Sequence, residues 1–168
     1  MTSAPTDRQL VFVAFASLLA VGIALVSQHF YDMPPCAYCV FQRVVYVGIA
    51  FSAILALLLR RVRPAQMGFT LLAFLLSLVG IWAAWYQHSV AQHLLSCDMT
   101  FADRFMTKSG LDEALPNVFG IFASCMDAAV DVFGVKYEIW SLALFAILGV
   151  VSLMALIRQS RTPTRRYA

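Results

Sequence analysis

Four apolar stretches constrain this chain more than anything else in it: about Leu10 to Gln28, Val40 to Leu59, Met67 to Tyr86 and Ile139 to Ile157. Each has roughly the 17–25 residues that a helix needs to cross a hydrocarbon core. In lipid a helix satisfies every backbone N–H and C=O within its own segment, so helices are the natural reading of such runs. With 61% hydrophobic and only 12% charged residues in 168, the chain is far more apolar than the roughly 45–50% of a soluble domain. The expectation is an all-α integral membrane protein, a four-transmembrane-helix bundle forming a single membrane domain over residues 1–168. The first run exceeds the ~7–15-residue apolar region of a signal peptide. It leads into Gln28-His29-Phe30-Tyr31 rather than a small-residue cleavage site, so a retained span is expected.

Charge placement orients the bundle. Arg8 precedes the first span, Arg60, Arg61 and Arg63 lie between the second and third, and Arg158, Arg161, Arg165 and Arg166 follow the fourth, which places eight of the 12 basic residues on one side. By the positive-inside rule both termini and the 60–66 loop are expected to be cytoplasmic. Eight of the nine acidic residues, from Asp32 to Glu138, lie on the other side. The net charge of +3 is thus a topology signal, and nothing points to nucleic acid. The outer side then holds a short loop, about 29–39, and a long one, about 87–138.

All four cysteines fall on that outer side: Cys36 and Cys39 in the short loop, Cys97 and Cys125 in the long one. Disulfides persist in oxidising compartments such as a periplasm. Three pairings are possible in principle. The spacing of Cys36 and Cys39 favours a local redox pair, leaving Cys97 with Cys125 as a loop-closing pair. In the long loop, Leu115, Val118, Phe119 and Phe122 recur at the spacing of one helix face, and Pro116 is tolerated in a first turn. This predicts a short amphipathic helix lying on the membrane surface and leading into Cys125. Ser96 to Gly110 shows no clear periodicity, so Cys97 is expected on a mobile, water-exposed segment able to reach a soluble partner.

The chemistry concentrates at Cys36-Ala-Tyr-Cys39. Pro34-Pro35 ends the loop and the second span begins at the cysteines, so both sulfurs lie at a helix N-terminus, where the dipole favours anions. Arg43 follows Cys39 by one turn on the same face. A permanent cation there favours the thiolate, the form that attacks disulfides or gives up electrons. The alternative is an arginine that merely snorkels to the headgroups. His29 and His93 read as loop surface, while Trp82, Trp85, Tyr86 and Trp140 gather near outer span ends as an aromatic belt does.

Pro35-Cys36-Ala37-Tyr38-Cys39 followed by Gln42-Arg43, Tyr86-Gln87-His88, Cys97-Asp98, Pro116-Asn117-Val118-Phe119 before Cys125, and Trp140-Ser141-Leu142 together resemble the DsbB-type disulfide bond formation proteins. The resemblance covers the four spans and both outer loops. It implies a multi-pass protein of the bacterial inner membrane, with periplasmic cysteines, that reoxidises a periplasmic DsbA-like thiol oxidase and passes the electrons to ubiquinone or menaquinone. Carried over by position, Cys97 forms the mixed disulfide with the partner, Cys125 exchanges with Cys36, and Cys39 faces the quinone with its thiolate held by Arg43. The redox pairs are then Cys36–Cys39 and Cys97–Cys125. His88 is placed to hydrogen-bond a quinone oxygen or relay a proton, with an interfacial histidine as the plain alternative. Two features depart from the family pattern: only eight residues separate His88 from Cys97, and Lys136-Tyr137-Glu138-Ile139 precedes Trp140 where a proline is common.

Other readings remain. A redox paralogue of the same architecture would serve one dedicated substrate, and a reductase of the vitamin K epoxide reductase type would place its Cys-x-x-Cys after the loop cysteines rather than before them. A cysteine-rich metal-binding membrane protein would use Cys-x-x-Cys as half of a tetrahedral site, but 27 residues separate Cys97 from Cys125 and Arg43 would repel a cation. An inert disulfide-stapled bundle has no use for the arginine. No metal is required by any motif, and no Gly-x-Gly-x-x-Gly element offers a nucleotide acceptor.

Overall fold

The computed structural model describes residues 4–90, 100–128, 130–132 and 134–161. Four long helices, α1 (Ala4–Phe30), α2 (Ala37–Leu58), α3 (Arg63–Ser89) and α7 (Tyr137–Arg161), are long and apolar enough to cross a membrane. Each matches one of the four apolar runs, α2 ending one residue short of Leu59, and the other three outrun theirs at both ends, because helical geometry continues through polar flanking turns that an apolar run does not mark. Pro64 in the first turn of α3 fits this: it lacks an N–H where none is used. The multi-pass helical bundle read from the sequence is thus what forms.

The helices close a ring in which α3 lies along α7, α2 lies between α1 and α3, and α1 completes the circuit more loosely against α7. The α3–α7 contact is built on a regular seam. Gln66, Thr70, Ala73, Ser77, Gly80, Ala84 and Gln87 are buried on α3, and Glu138, Ser141, Phe145, Leu148, Ser152, Ala155 and Gln159 on α7. Both series step by three and four residues in turn, the 3.5-residue period of a left-handed helix pair. Small residues on α3 let the backbones approach, which is how helices associate in lipid without a hydrophobic drive. Gly80 is a tight point: a Cβ there would run into the Phe145 ring. Phe145 in turn stacks on Tyr46 of α2, ring centroids 4.0 Å apart. The apolar side chains left outside, such as Phe15, Leu19, Leu75 and Val150, face the lipid.

The long connection between α3 and α7 differs from the expectation. Its best-formed helix, α4 (Phe101–Ser109), lies in the segment where no periodicity was read. Thr100 and Asp103 make a reciprocal capping box at its start, and Gly110, with φ 66°, ends it in the left-handed conformation. Ala102 and Met106 are buried beneath it, while Phe101 and Phe105 meet Phe41 of α2 edge-on. Where a surface helix from Leu115 to Phe122 was expected, the chain makes two single turns, α5 (Leu111–Ala114) and α6 (Pro116–Phe119). Gly120 leaves the turn with extended backbone, a place only glycine fits because a Cβ there would run into the Pro116 carbonyl, and Phe122 lies beyond the helix. A two-residue hairpin, β1 (Asp131–Val132) with β2 (Val135–Lys136), leads into α7 and is pinned by an Asp131–Lys136 ion pair of 3.3 Å. No strand is expected there from the sequence.

Candidate active site

Cys36 caps α2: its extended backbone ends the Pro34-Pro35 approach, and its sulfur accepts from the Cys39 N–H at 3.4 Å. The helical turn brings the two sulfurs to 3.0 Å. That exceeds the ~2.05 Å of a disulfide, and Cys36, Cys39 and Cys125 are all free thiols. Cys36 is wholly buried and Cys39 half-buried. Cys125 comes to Cys36 from the long loop, within hydrogen-bonding reach, and packs on the same core. The Pro35 carbonyl sets that approach by accepting from the N–H groups of Phe122 at 3.0 Å and Ala123 at 3.3 Å. Hydrogen bonding to Cys125, then to Cys39, and burial together push the Cys36 thiol well above its ordinary range. Cys36 thus has a sulfur neighbour on each side, Cys39 and Cys125. Three thiols in this order can exchange one disulfide between two sites, with Cys36 as the common member.

Arg43 does not snorkel. It is 5% exposed, and its Nη1 donates to Gln28 Oε1 at 2.6 Å and to the Val118 carbonyl at 2.8 Å, with Nη2 3.3 Å from the Ala24 carbonyl. One guanidinium thus ties α1, α2 and the α6 turn together, and holds the loop that delivers Cys125. Its Nε has no partner.

Beside it opens a cavity of about 180 Å³. Cys39, Gln42, Arg43, Gln87 and Ser141 supply its polar wall, and Ile23, Trp140 and Leu144 are among its apolar residues. The polar wall is internally bonded. Tyr46 OH meets Ser141 Oγ at 2.9 Å, Ser141 Oγ donates to Gln42 Oε1 at 2.5 Å, Gln42 Nε2 donates to Gln87 Oε1 at 2.7 Å, and Gln87 Nε2 donates to the Cys39 sulfur at 3.4 Å. In the sequence Gln42, Gln87 and Ser141 stand out only as parts of motifs, with no role of their own. The available signal was an amide or hydroxyl inside an apolar span, which is costly in lipid unless it is partnered.

His88 is not among the residues lining this cavity. Its Nδ1 lies 2.9 Å from Glu138 Oε1, and that carboxylate, at the first turn of α7, is 2% exposed. His29 bonds the Leu25 carbonyl of its own helix. Of the tryptophans, Trp85 stands outward, Trp82 stacks on Tyr86, and Trp140 lines the cavity while donating to the Val132 carbonyl at 3.2 Å. Cys97 and His93 lie outside the described residues. Among the described residues no group of three His, Cys, Asp or Glu side chains is arranged to hold a metal ion.

The family model for the disulfide bond formation protein DsbB matches residues 6–155, a span that takes in α2, α3, most of α1 and α7, and all four cysteines. The chain belongs to the DsbB family. Among its relatives, a disulfide bond formation protein B of Ralstonia nicotianae is 32% identical over 152 residues, covering 90% of this chain and 94% of that one. Disulfide bond formation protein B 2 of Pseudomonas aeruginosa is 34% identical over 148 residues, 84% of this chain and 86% of that one. The protein B of Salmonella typhimurium is 25% identical over 166 residues, 93% and 89% respectively. This DsbB-family chain is a multi-pass membrane disulfide oxidoreductase that serves disulfide bond formation.

Proposed function

We propose that the protein reoxidises a soluble DsbA-like thiol oxidase and passes the electrons through two cysteine pairs to a membrane quinone. The observation that carries this reading is the order of groups: Cys125 against Cys36, Cys36 against Cys39, and Cys39 with Arg43 on the wall of an apolar cavity. A soluble dithiol is served from the loop side and a lipid-soluble acceptor from the cavity side.

In the proposed sequence, Cys97 forms the mixed disulfide with the partner and is displaced as the partner's own disulfide closes, leaving Cys97 and Cys125 reduced. The Cys125 thiolate then attacks Cys36 of the Cys36–Cys39 disulfide. The Cys36–Cys125 bond forms, the Cys36–Cys39 bond breaks, and Cys39 leaves as a thiolate beside Arg43. Attack of Cys97 on Cys125 restores the loop disulfide and releases Cys36. Two electrons and two protons have then moved from the loop pair to the Cys36–Cys39 pair.

A quinone bound in the cavity, ubiquinone or menaquinone, supplies an acceptor for those two electrons and two protons. The residues present suit such a group: the buried, unpartnered Nε–H of Arg43 would hold a quinone oxygen, while Ile23, Trp140 and Leu144 would enclose an apolar ring and keep water out. Arg43 also opposes the negative charge on Cys39. His88, one residue past Gln87 and paired with Glu138, is proposed for proton relay. The basic residues cluster at the end of the bundle remote from the cysteines, which supports an inner-membrane protein with both termini cytoplasmic and the cysteines periplasmic.

The test is anaerobic turnover with a reduced DsbA-like oxidase and a short-chain ubiquinone analogue, following quinone absorbance and partner thiols together. Loss of two thiols per quinone, absent in Cys36→Ala and Cys97→Ala, is expected. Partner oxidation with no quinone consumed would overturn the acceptor.

A further inference from the structure

The hydrogen-bond chain in the cavity wall has a direction, and the direction assigns a role to Gln87. Ser141 has one hydroxyl proton, which goes to Gln42 Oε1. The Tyr46 hydroxyl must then donate to Ser141, either to Oγ at 2.9 Å or to the carbonyl at 3.2 Å. With Oε1 of Gln42 occupied, its Nε2 donates to Gln87 Oε1, and this turns Nε2 of Gln87 towards the Cys39 sulfur. All four side chains are at most 9% exposed, so bulk solvent has little access to these donors. Residues on α2, α3 and α7 thus cooperate to aim one N–H at one sulfur. Such a chain polarises along its length and strengthens its last bond.

We infer that Gln87 is a positioning residue for the electron-donating sulfur: its amide, oriented through Gln42, Ser141 and Tyr46, holds Cys39 as a hydrogen-bond acceptor beside the cavity. This rests on Cys39 being the sulfur that faces the acceptor. The amide is chemically selective. A leaving thiolate or a disulfide sulfur can accept from it, and a carboxylate at position 87 could offer no donor in its ionised form. The titratable and charged groups around Cys39 are Cys36 at the helix cap, with Cys125 behind it, Arg43 one turn on and Tyr137 at the start of α7. From α1 come Ile23, Ala24 and Ser27, none of which titrates. Arg43 acts on Cys39 through its charge and Gln87 through a directed donor, so the two contributions are separable.

The experiment uses the fully reduced, full-length protein in detergent, pulsed briefly with iodoacetamide across the neutral and alkaline range, with alkylation of each cysteine read by mass spectrometry. Needing neither quinone nor partner, the result is independent of the proposed acceptor. A hydrogen bond to a charged group carries the energy of about 1–2 pH units. The midpoint for Cys39 alkylation is therefore expected to move up by about that much in Gln87→Glu, and in the same direction but less in Gln87→Leu. The midpoint for Cys125 should stay in place. Ser141→Ala, one link back along the chain, should move Cys39 the same way by a smaller step and serves if the position 87 variants do not fold. A purely structural glutamine would change rates at every pH and leave the Cys39 midpoint where it is in the wild type, and that result would overturn the assignment. Should the midpoint move while the wild type reduces no quinone, Gln87 keeps its role and the acceptor is what is wrong.

Discussion

The α3–α7 seam carries buried glutamine at both ends of the bundle, to different effect. At the end away from the cysteines, Gln159 Nε2 donates to Thr70 Oγ1 at 3.1 Å, Thr70 donates to the Gln66 carbonyl at 2.8 Å, and Arg63 caps the Gln159 carbonyl at 2.7 Å. Those bonds end on backbone and lock two helices together. At the cysteine end Gln42, Gln87 and Ser141 are just as buried, yet their chain ends on a sulfur at the wall of a cavity. The same polar chemistry on the same 3.5-residue repeat is a latch at one end and lines the candidate site at the other. What differs is the third dimension: at the cysteine end the long loop is drawn in by Arg43 and Pro35, bringing Cys125 to Cys36, whose neighbour Cys39 lines the cavity.

Breaking the site end should affect the reaction, and breaking the latch end should affect only stability. The largest effect belongs to Cys39→Ser, which removes the sulfur itself. Single-turnover quinone reduction by the pre-reduced protein should fall by at least roughly a thousandfold, with the four-helix circular dichroism unchanged. Next comes Arg43→Ala, which loses the cation beside Cys39 and the bond to the Val118 carbonyl together. Quinone reduction should drop by about a hundredfold and trapping of the Cys36–Cys125 bond should also slow, while attack of the partner on Cys97 changes least. An intact Cys36–Cys125 exchange rate in Arg43→Ala would separate the loop from the arginine.

Gly80→Ala probes the joint between the two ends. Its Cβ would drive into Phe145, which stacks on Tyr46, so overpacking of about 1–3 kcal/mol should appear as a lower melting temperature in detergent, with a slower quinone step alongside. Smallest is Gln159→Leu at the latch, where one interhelical bond in a membrane protein contributes on the order of 0.6 kcal/mol. Melting should shift slightly and turnover should match the wild type. A turnover defect there would show that the ends are not independent.

The spans were legible because lipid imposes one strong rule, and the Cys36–Cys39–Arg43 face was legible because all of it lies within three turns of one helix. The cavity was not, since Ser141 and Gln42 meet across 99 positions of chain and no local pattern encodes that meeting. Helix α4 carried a readable signal that periodicity missed: Thr100-x-x-Asp103 is a capping box, and Phe101, Ala102, Phe105 and Met106 share a face. The helix expected at Leu115–Phe122 is shortened to the Pro116–Phe119 turn: its apolar spacing was readable, but Gly120 and the bonds of Phe122 and Ala123 to the Pro35 carbonyl turn the backbone away. Arg43 illustrates the same limit: its charge and helix face were readable, but its grip on the Val118 carbonyl, 75 residues away, was not.

In the proposed reaction electrons leave through the Cys36–Cys39 pair into the cavity, and a protein lacking both loop cysteines isolates that step. Cys97→Ala combined with Cys125→Ala, chemically reduced and mixed anaerobically with a short-chain ubiquinone analogue, should consume one quinone per protein as Cys36 and Cys39 lose two thiols and close their disulfide. Retention of both thiols with the quinone absorbance unchanged, in a variant that remains folded, would contradict it.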